Sequence, residues 1–390
     1  MGYKMVRIDK LGKVITGNTP SKNKKEYYNE AITPFIKPNN FNAVSISSLS
    51  ESDEYLSHAG AKVGRLVEEG AVLVTCIGTI GSVGIANKEI CFNQQINAVV
   101  PNEGIVNNRY LAYAIIKRRE QLKAIANAPV VPIINKTQFS AFEIPLPPLE
   151  TQKKIVEVLD KSQGLIDARK EQISLIDELI QSVFYEMFGD PVTNSKVWEV
   201  CKMASLGSFK NGINFSSSDS GVTLNCLGVG DFKSLYKINQ TEVLPRVSLN
   251  QIPSEGYILK NKDIVFVRSN GNKALVGRSV IVYPNDNKTT FSGFCIRLRV
   301  ESTVVHEEFL IHLLRSNSVK QKLLSDGRGA NISNLNQKML SDIDIILPPK
   351  ELQMKFCKVI GKIEVQKSNM ELSLANHKMN FQSLMKKSFQ

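Results

Sequence analysis

Two segments of the chain, 143–155 and 344–356, are close copies of each other: EIPLPPLETQKKI and DIILPPKELQMKF. In each copy a short extended run leads into a pair of prolines, and a helical pattern begins directly after it. Proline is tolerated in the first turn of a helix, whereas the residue before a proline is pushed towards extended geometry. The chain must therefore build the same strand-to-helix junction twice.

The repeat extends well beyond the junctions. Residues 139–189 align with 340–390 without a gap at a shift of 201, and 107–115 align with 306–314 at a shift of 199. A period of about 200 residues is too long for a solenoid or a propeller blade. It predicts instead a duplicated domain of about 150 residues, each copy followed by one long helix. Such a chain is pseudo-twofold within itself.

Both repeated helices carry apolar residues at heptad spacing, which is typical of a coiled coil. The first helix is predicted over 149–187, which gives a length of about 58 Å at 1.5 Å per residue. Gly189 and Pro191 end it, and a twofold axis across the helix middles makes the pair antiparallel. The alternative is that each helix packs only on its own domain. The residues predicted to form the helix-pair interface are Ile155, Leu159, Ile166, Ile173, Ile176, Ile180 and Val183 of the first helix, with Phe356, Ile360, Ile363, Met370, Leu374, Phe381 and Leu384 of the second.

The remainder of each half mixes two kinds of element. Short β-rich runs such as 71–78 and 263–271 alternate with Gly/Asn turns and with one helical stretch per half, at 109–126 and 307–324. This mixture predicts an α+β fold of two globular domains separated by two long antiparallel coiled-coil helices. The predicted boundaries are 1–148 for the first domain, 149–189 for the first spacer helix, 190–349 for the second domain and 350–390 for the second spacer helix.

Composition limits the possible functions. A net charge of +12 favours a polyanionic partner. Six cysteines without a CxxC pair and four histidines without ligand spacing predict reduced thiols and no metal site. The sequence has no GxxxxGK[ST] phosphate-binding loop, no glycine-rich strand-to-helix turn for S-adenosylmethionine and no defensible Ser-His-Asp arrangement. Its apolar runs are too short to cross a bilayer. We therefore predict a non-catalytic protein without a membrane span.

Basic and polar residues cluster in a few loops. Arg, Lys and Asn side chains recognise base edges in the major groove, and lysines mainly contact phosphates. Any one of these residues is more simply explained as a solvated loop residue, so the clustering carries the hypothesis. Lys117-Arg118-Arg119 and Lys386-Lys387 lie in helical stretches and are interpreted as solvated faces. The predicted DNA-binding residues are Lys22, Lys24, Lys25 and Thr79 in the first half, with Arg268, Asn270, Lys273, Arg278, Arg328 and Asn331 in the second.

In combination, these motifs resemble the specificity subunit of type I restriction–modification systems. The resemblance covers essentially the whole chain and rests on the two proline junctions together with LGKVITGNTPSK (11–22), CIGTIGSVG (76–84) and FNQQINAVVP (92–101). In the second half, NGNKALVG replaces GTIG and SGFCI replaces NQQIN. Residue roles at those positions are therefore not transferred from one half to the other.

The resemblance implies a DNA-recognition subunit that is not itself an enzyme. Its two domains would be target-recognition domains, each binding one half of a bipartite, asymmetric target in double-stranded DNA. The helices would dock two methyltransferase subunits, and restriction subunits would join the complex. No cofactor is implied for this chain, because S-adenosylmethionine, ATP and Mg²⁺ would bind the partner subunits. A cytoplasmic location follows. The alternatives are a stand-alone DNA methyltransferase or nuclease, and a coiled-coil scaffold that binds proteins.

Overall fold

The computed structural model of the chain describes residues 3–126, 132–232, 236–325 and 334–389. The chain forms two compact units. Unit 1 comprises Met1–Lys170 and Leu372–Gln390, and unit 2 comprises Glu171–Glu371. Each unit therefore contains one globular part together with a segment of each long helix.

Unit 1 is built mostly from short strands. Its strands are β1 (Met5–Arg7), β2 (Gly12–Thr16), β3 (Thr33–Ile36), β4 (Ser47–Leu49), β5 (Tyr55–Leu56), β6 (Leu66–Val67), β7 (Val72–Thr75), β8 (Val83–Ala86), β9 (Ile90–Phe92), β10 (Ile96–Pro101) and β11 (Glu143–Pro145). Its helices are α1 (His58–Val63), α2 (Asn108–Lys117), α3 (Arg119–Ala124), α4 (Lys136–Ala141) and the first part of α5 (Leu149–Phe188).

Unit 2 follows the same plan. Its strands are β12 (Glu199–Lys202), β13 (Gly207–Asn211), β14 (Val222–Leu227), β15 (Lys237–Ile238), β16 (Arg246–Leu249), β17 (Asp263–Val267), β18 (Ser279–Val282), β19 (Thr289–Phe291), β20 (Cys295–Val300) and β21 (Asp344–Leu347). Its helices are α6 (Glu307–Leu314), α7 (Asn317–Ser325), α8 (Gln337–Ser341) and the first part of α9 (Lys350–Ser388), whose end belongs to unit 1.

Strand order confirms the predicted duplication. The five-stranded sheet of unit 1 has the order β2-β10-β7-β8-β4, and that of unit 2 has the order β13-β20-β17-β18-β15. In both sheets the last strand pairs in parallel with its neighbour, and the other pairings are antiparallel. A two-stranded antiparallel ladder precedes each long helix, β1 with β11 and β12 with β21. The predicted α+β class is therefore correct.

Each five-stranded sheet is buried on both faces. In unit 2, Ile264 and Phe266 of β17 face the helices, whereas Val265 and Val267 face a three-stranded sheet of order β16-β14-β19. This alternation follows from the two-residue period of a strand. Successive apolar residues in a strand thus indicate burial on both sides.

One sequence expectation needs correction. The stretches 109–126 and 307–324 were each predicted as a single helix, but each contains two. Arg118 separates α2 from α3 with φ −99° and ψ 15°, outside helical geometry. In unit 2, α6 ends at Leu314 and α7 begins at Asn317. Periodicity persists across such a break, so the sequence pattern does not show it.

The two long helices are antiparallel. In unit 2 the rings of Phe188 and Phe356 lie 5.3 Å apart, and the Lys367 ammonium donates to Asp177 at 2.5 Å. Residue numbers thus rise along one helix as they fall along the other. The first helix ends at Phe188, one residue beyond the predicted end, and the predicted stop Gly189 follows with φ +72°. No helix in the described ranges is both long and apolar enough to span a membrane.

A buried glutamine fixes each long helix to its globular part. Gln353 in unit 2 accepts the backbone N–H of His306 at 2.8 Å and donates to the carbonyls of Val304 (3.1 Å) and Pro348 (2.8 Å). In unit 1, Gln152 makes the same three bonds, to Asn107, Ile105 and Pro147. Both side chains are fully buried. The repeated glutamine is thus explained, because a buried amide needs hydrogen-bond partners, and both the first proline of the pair and the loop before α2 or α6 supply them.

Candidate nucleic-acid interface

Each unit has a turn at the same place in its five-stranded sheet. It lies between β7 and β8 in unit 1 and between β17 and β18 in unit 2. Each turn closes on a glycine with positive φ, Gly81 at +80° and Gly277 at +78°. The Gly81 N–H donates to the Thr75 carbonyl at 2.9 Å, and the Gly277 N–H donates to the Val267 carbonyl at 3.0 Å. Glycine adopts this left-handed conformation without steric cost. The two turns are therefore structurally equivalent, although the second is longer.

In unit 1 an arginine holds this turn in place. Arg119 donates from Nε to the Gly81 carbonyl at 2.6 Å and from Nη1 to the Ala43 carbonyl, so it joins the turn to a second loop. Burial lowers the pKa of its guanidinium. Arg119 is thus not on a solvated face, and that sequence interpretation was wrong for this residue. The predicted DNA-binding residue Thr79 lies exposed in the turn that Arg119 holds.

The predicted lysines of unit 1 are all exposed, and two of them border a concave surface. That surface encloses about 590 Å³ and is lined by Lys22, Lys25, Tyr28, Asn29, Glu54 and Tyr55. The Lys37 ammonium, hydrogen-bonded to Glu54, lowers the pKa of that carboxyl, and Lys22 lies 3.9 Å from the same oxygen. Lys24 instead donates to the Tyr27 hydroxyl at 3.2 Å. Because Lys37 contacts Glu54 more closely, Lys22 can exchange this contact for a phosphate.

In unit 2 two of the predicted residues, Arg268 and Asn270, lie beside an exposed aromatic ring. The Arg268 N–H donates to the Phe294 carbonyl at 2.8 Å, and the Arg268 carbonyl accepts from Leu335 at 2.7 Å. A concave surface of about 470 Å³ is lined by Val229, Ser269, Asn270, Gly271, Phe294 and Asn334. The Phe294 side chain is 61% exposed. The sequence analysis missed Phe294, an aromatic ring beside amide groups, which can contact a base or a thymine methyl.

The other predicted residues of unit 2 lie elsewhere. Arg278 donates to the Ala274 carbonyl at 3.2 Å and borders a different cavity, which Arg315 and Lys367 also line. The structure therefore does not bring Arg278 together with Asn270. Lys273 begins a short 3₁₀ turn, Lys273–Leu275. Arg328 and Asn331 lie outside the described residues.

All residues predicted for the helix-pair interface are buried or half-buried. Those in unit 1 are Ile155, Leu159, Ile166, Leu374, Phe381 and Leu384. Those in unit 2 are Ile173, Ile176, Ile180, Val183, Phe356, Ile360, Ile363 and Met370. The sequence analysis missed the aromatic residues Phe184, Phe188 and Phe389, which pack beside them. Phe184 and Phe188 pack on Phe309 and Phe356 in unit 2, and Phe389 packs on Tyr110 in unit 1 with ring centroids 5.3 Å apart.

The long helices also leave apolar side chains exposed. Eight such residues keep between 46% and 67% of their surface accessible. In unit 1 they are Val158, Leu165, Leu372 and Met379, and in unit 2 they are Leu175, Leu179, Met354 and Val365. We call these eight residues the exposed helix residues. Apolar residues scattered singly are normal on a surface, whereas these eight are gathered on two helices.

One cluster could hold a metal ion. His306, Glu308 and Cys357 of unit 2 are half-buried, and their ligand atoms all lie within 4.8 Å of one another. The sequence gave no such signal, because 51 residues separate His306 from Cys357. The expectation that no metal is bound stays a prediction, and among the described residues this cluster is the candidate to test it.

Comparison with known proteins decides the family. The chain matches the family described as "Type I restriction modification DNA specificity domain" over residues 1–177 and 196–370, once for each half. The chain belongs to this family. It is 24% identical over 374 residues to the type I restriction enzyme MjaIX specificity subunit of Methanocaldococcus jannaschii, covering 90% of this chain and 84% of the relative. It is 33% identical over 170 residues to the HindI specificity subunit of Haemophilus influenzae, covering 41% of this chain and 36% of that protein.

Solved structures of specificity subunits share the fold. The type I restriction–modification S subunit from M. genitalium is 15% identical, with a TM-score of 0.55 over 100% of this chain and 96% of that one. A chain solved in a study of "complex assembly" and "conformational transition of the type I R-M system" is also 15% identical, with a TM-score of 0.61 over 100% of this chain and 98% of that one. Membership of the specificity family makes this a protein of DNA sequence recognition, and the predicted resemblance is confirmed.

Proposed function

We propose that this chain is the non-catalytic subunit that selects the DNA target of a type I restriction–modification complex in the cytoplasm. Residues 1–148 and 190–349 are the two target-recognition domains, each binding one half of a bipartite target, and 149–189 with 350–390 are the spacer. One observation carries the proposal. The two units repeat the same sheet and the same glycine-closed turn, yet carry different side chains there. Two scaffolds of the same topology with different contact residues suit two different half-sites.

The side chains on the concave surface of each unit suggest which residues contact bases and which contact phosphates. In unit 2, Asn270 and Phe294 meet in one concave surface beside the Arg268 backbone, and these residue types contact base edges. In unit 1, Lys22 and Lys25 border a surface better suited to phosphates. We assign base recognition in unit 2 to the first group and phosphate contact in unit 1 to the lysines. Thr79, held in the turn by Arg119, is the candidate base contact of unit 1.

Substitutions separate base recognition from phosphate contact. We expect Arg268→Ala to weaken cognate binding by about 1–3 kcal/mol and to relax discrimination in one half-site only. Replacing Lys22, Lys24 and Lys25 together with alanine should weaken cognate and random DNA alike. It should also reduce the slope of log K against log salt by up to about three. The measurement is a salt titration of binding by the assembled complex.

Two exposed lysines at the end of α9 provide a control, since Lys386→Ala with Lys387→Ala removes charge from residues that line neither concave surface. That variant should bind DNA as the unaltered complex does. If Arg268→Ala keeps full discrimination at both half-sites, then Arg268 does not contact bases.

We further propose that the exposed helix residues dock two methyltransferase subunits, and that restriction subunits join the same complex. An unpartnered chain with this much apolar helix surface should aggregate, and it should be soluble when the methyltransferase is co-produced. S-adenosylmethionine, ATP and Mg²⁺ then bind the partner subunits. Stoichiometric binding of S-adenosylmethionine to the chain alone would instead favour a stand-alone methyltransferase.

Charge placed on the unit 1 helices tests this docking. We expect Leu372→Glu with Met379→Glu to weaken binding of one methyltransferase subunit by about 2 kcal/mol or more, roughly 30-fold, because buried apolar contacts dominate interfaces. The complex should then carry one methyltransferase instead of two, as measured by native mass spectrometry. Val44→Glu is the control, since Val44 is a 79% exposed apolar residue outside the helices. A full complement of two methyltransferases in the double variant would contradict the assignment.

A further inference from the structure

Three side chains of the types that bind transition metals meet where α6 begins beside α9 in unit 2. His306 is the N-cap of α6, Glu308 lies in its first turn, and Cys357 comes from α9. The His306 Nδ1 and the Cys357 Sγ lie 3.5 Å apart, and the ligand atoms of all three residues lie within 4.8 Å of one another. The chain has only four histidines and six cysteines. With so few of these residues in the chain, a histidine and a cysteine that lie together beside a carboxylate need an explanation.

The buried glutamine of unit 2 brings these residues together. Gln353 accepts the backbone N–H of His306 at 2.8 Å, which holds the start of α6 against α9. Cys357 lies four residues after Gln353, so both side chains project from the same face of α9. Glu308 follows His306 within the first turn of α6. The three positions are thus fixed by the junction and do not depend on any contact among the three side chains.

Unit 1 has the same junction but different side chains. At the repeat-related positions it carries Asn107, Arg109 and Val156, which do not form a metal-binding set. There the Arg109 guanidinium and the Tyr113 hydroxyl both donate to Asp160 at 2.6 Å. That network ties the globular part to α5.

In unit 2 the equivalent network is absent among the described residues, because its members are replaced. Glu308 stands in place of Arg109, His312 in place of Tyr113 and Gly361 in place of Asp160. A cavity of about 350 Å³ opens there, lined in part by Glu308, Cys357 and Gly361. Unit 2 has therefore exchanged an ion-pair network for three ligand-type side chains beside a space large enough for water.

The distances agree with tetrahedral coordination. A Zn–S bond of about 2.3 Å and a Zn–N bond of about 2.1 Å place sulfur and nitrogen about 3.6 Å apart at tetrahedral angles. The observed separation is 3.5 Å. Both polar contacts of the Glu308 carboxylate, with Tyr283 at 2.9 Å and Lys237 at 3.4 Å, use Oε1 and leave Oε2 for a metal. The His306 Nδ1 would give up a long hydrogen bond of 3.3 Å from the Glu308 N–H and the 3.5 Å contact with the Cys357 thiol, whose sulfur then binds the same ion.

We propose that His306, Glu308 and Cys357 bind a divalent transition metal ion of the zinc type, with water from the adjoining cavity as the fourth ligand. The ion ties the start of α6 to α9. It takes the place in unit 2 of the ion pair that joins Arg109 to Asp160 in unit 1.

Binding requires the Cys357 proton to leave. Burial raises the pKa of the Cys357 thiol to about 12, so the metal-free thiol is protonated at neutral pH. When the metal–sulfur bond forms, the S–H bond breaks and the proton passes to solvent. The thiolate and the Glu308 carboxylate, which also contacts the Lys237 ammonium, supply two negative charges to the ion.

Cobalt(II) alone is the probe, because a cobalt–thiolate bond gives a charge-transfer absorption band that nitrogen and oxygen ligands do not. The full chain, purified with its methyltransferase partner, should bind one equivalent per chain and show this band. Cys357→Val and His306→Asn install the residues that unit 1 already carries at these positions, so the junction should still fold. Cys357→Val should abolish the band. Each substitution should weaken cobalt binding at least about 100-fold, since loss of even an outer-shell partner costs 10–100-fold.

Cys201→Ser and His58→Asn are the controls, because they remove one thiol and one imidazole outside the cluster. Both should retain the band and the affinity. If the unaltered complex shows no band, or if Cys357→Val binds cobalt as tightly as the unaltered complex, the proposal is wrong. The Cys357 thiol then only donates a hydrogen bond to His306.

Discussion

A four-residue insertion in both long helices is expected to lengthen the spacer between the two half-sites by about two base pairs and to leave both half-sites unchanged. Four residues add about 6 Å and about 40° of rotation to a helix, and DNA rises 3.4 Å per base pair. A coiled coil accommodates an insertion of four by local unwinding. Binding to the original target should fall to the non-specific level, a loss of about 1,000-fold or more.

The insertion points follow from the division of the chain. α5 passes from unit 1 to unit 2 between Lys170 and Glu171, and α9 passes back between Glu371 and Leu372. Matched insertions at these two points leave the contacts within each unit intact. An insertion in α5 alone is the control and should yield little soluble complex, because only one helix is lengthened. An active double insertion that keeps the original spacer would show that the helices do not set the spacing.

Replacing Gln353 with leucine is expected to destabilise unit 2 by about 3–9 kcal/mol. The substitution leaves the His306 N–H and the carbonyls of Val304 and Pro348 without their partner in a buried site, and each such group costs about 1–3 kcal/mol. A loss of this size is comparable with the whole stability of a domain, about 5–15 kcal/mol. Thermal unfolding of the assembled complex measures it, and hydrogen exchange around Pro348 and α6 locates it.

Gln382 provides the control. It is also identical to its counterpart in the other half of the chain, Gln181, but Gln382 is exposed. Gln382→Leu should change stability by no more than about 0.5 kcal/mol. Equal effects at Gln353 and Gln382 would mean that the junction does not depend on the buried amide.

The features predicted from sequence were those that local chemistry determines. The proline pairs, the heptad spacing and Gly189 each constrain the backbone where they stand, so the junctions, the long helices and the end of α5 were predicted correctly. Because the second half of the chain repeats the first, the same predictions applied to it without further assumptions. The structural role of Gln152 and Gln353 could not be predicted, because most of their partners lie up to 49 residues earlier in the chain.

Features that depend on tertiary contact could not be predicted. The turns closed by Gly81 and Gly277 are equivalent, but five residues (76–80) precede the first glycine and nine (268–276) precede the second, so sequence alignment does not match them. Arg119 looked like one of several helix-surface cations until its contact with Gly81 was visible. Phe294 is an ordinary apolar residue in sequence, and only the fold shows that it is exposed beside Asn270.

The His306, Glu308 and Cys357 cluster has a sequence signal that becomes clear only in retrospect. No spacing rule connects these residues, because two elements supply them. The signal is instead that the three positions differ together from their repeat counterparts, and that Asp160 is replaced by Gly361 at the same junction. Simultaneous divergence at residues in mutual contact is a pattern that duplicated chains can reveal.

Methylation sequencing of genomic DNA, with and without this chain, tests the central claim most directly. The chain is produced together with its methyltransferase in a host that lacks other DNA methylation. We expect methylation at a single asymmetric motif, two different half-sites separated by a spacer of fixed length, and no such methylation without the chain. A continuous or palindromic motif, or the same motif in the absence of the chain, would contradict the account of two units that each recognise one half of the target.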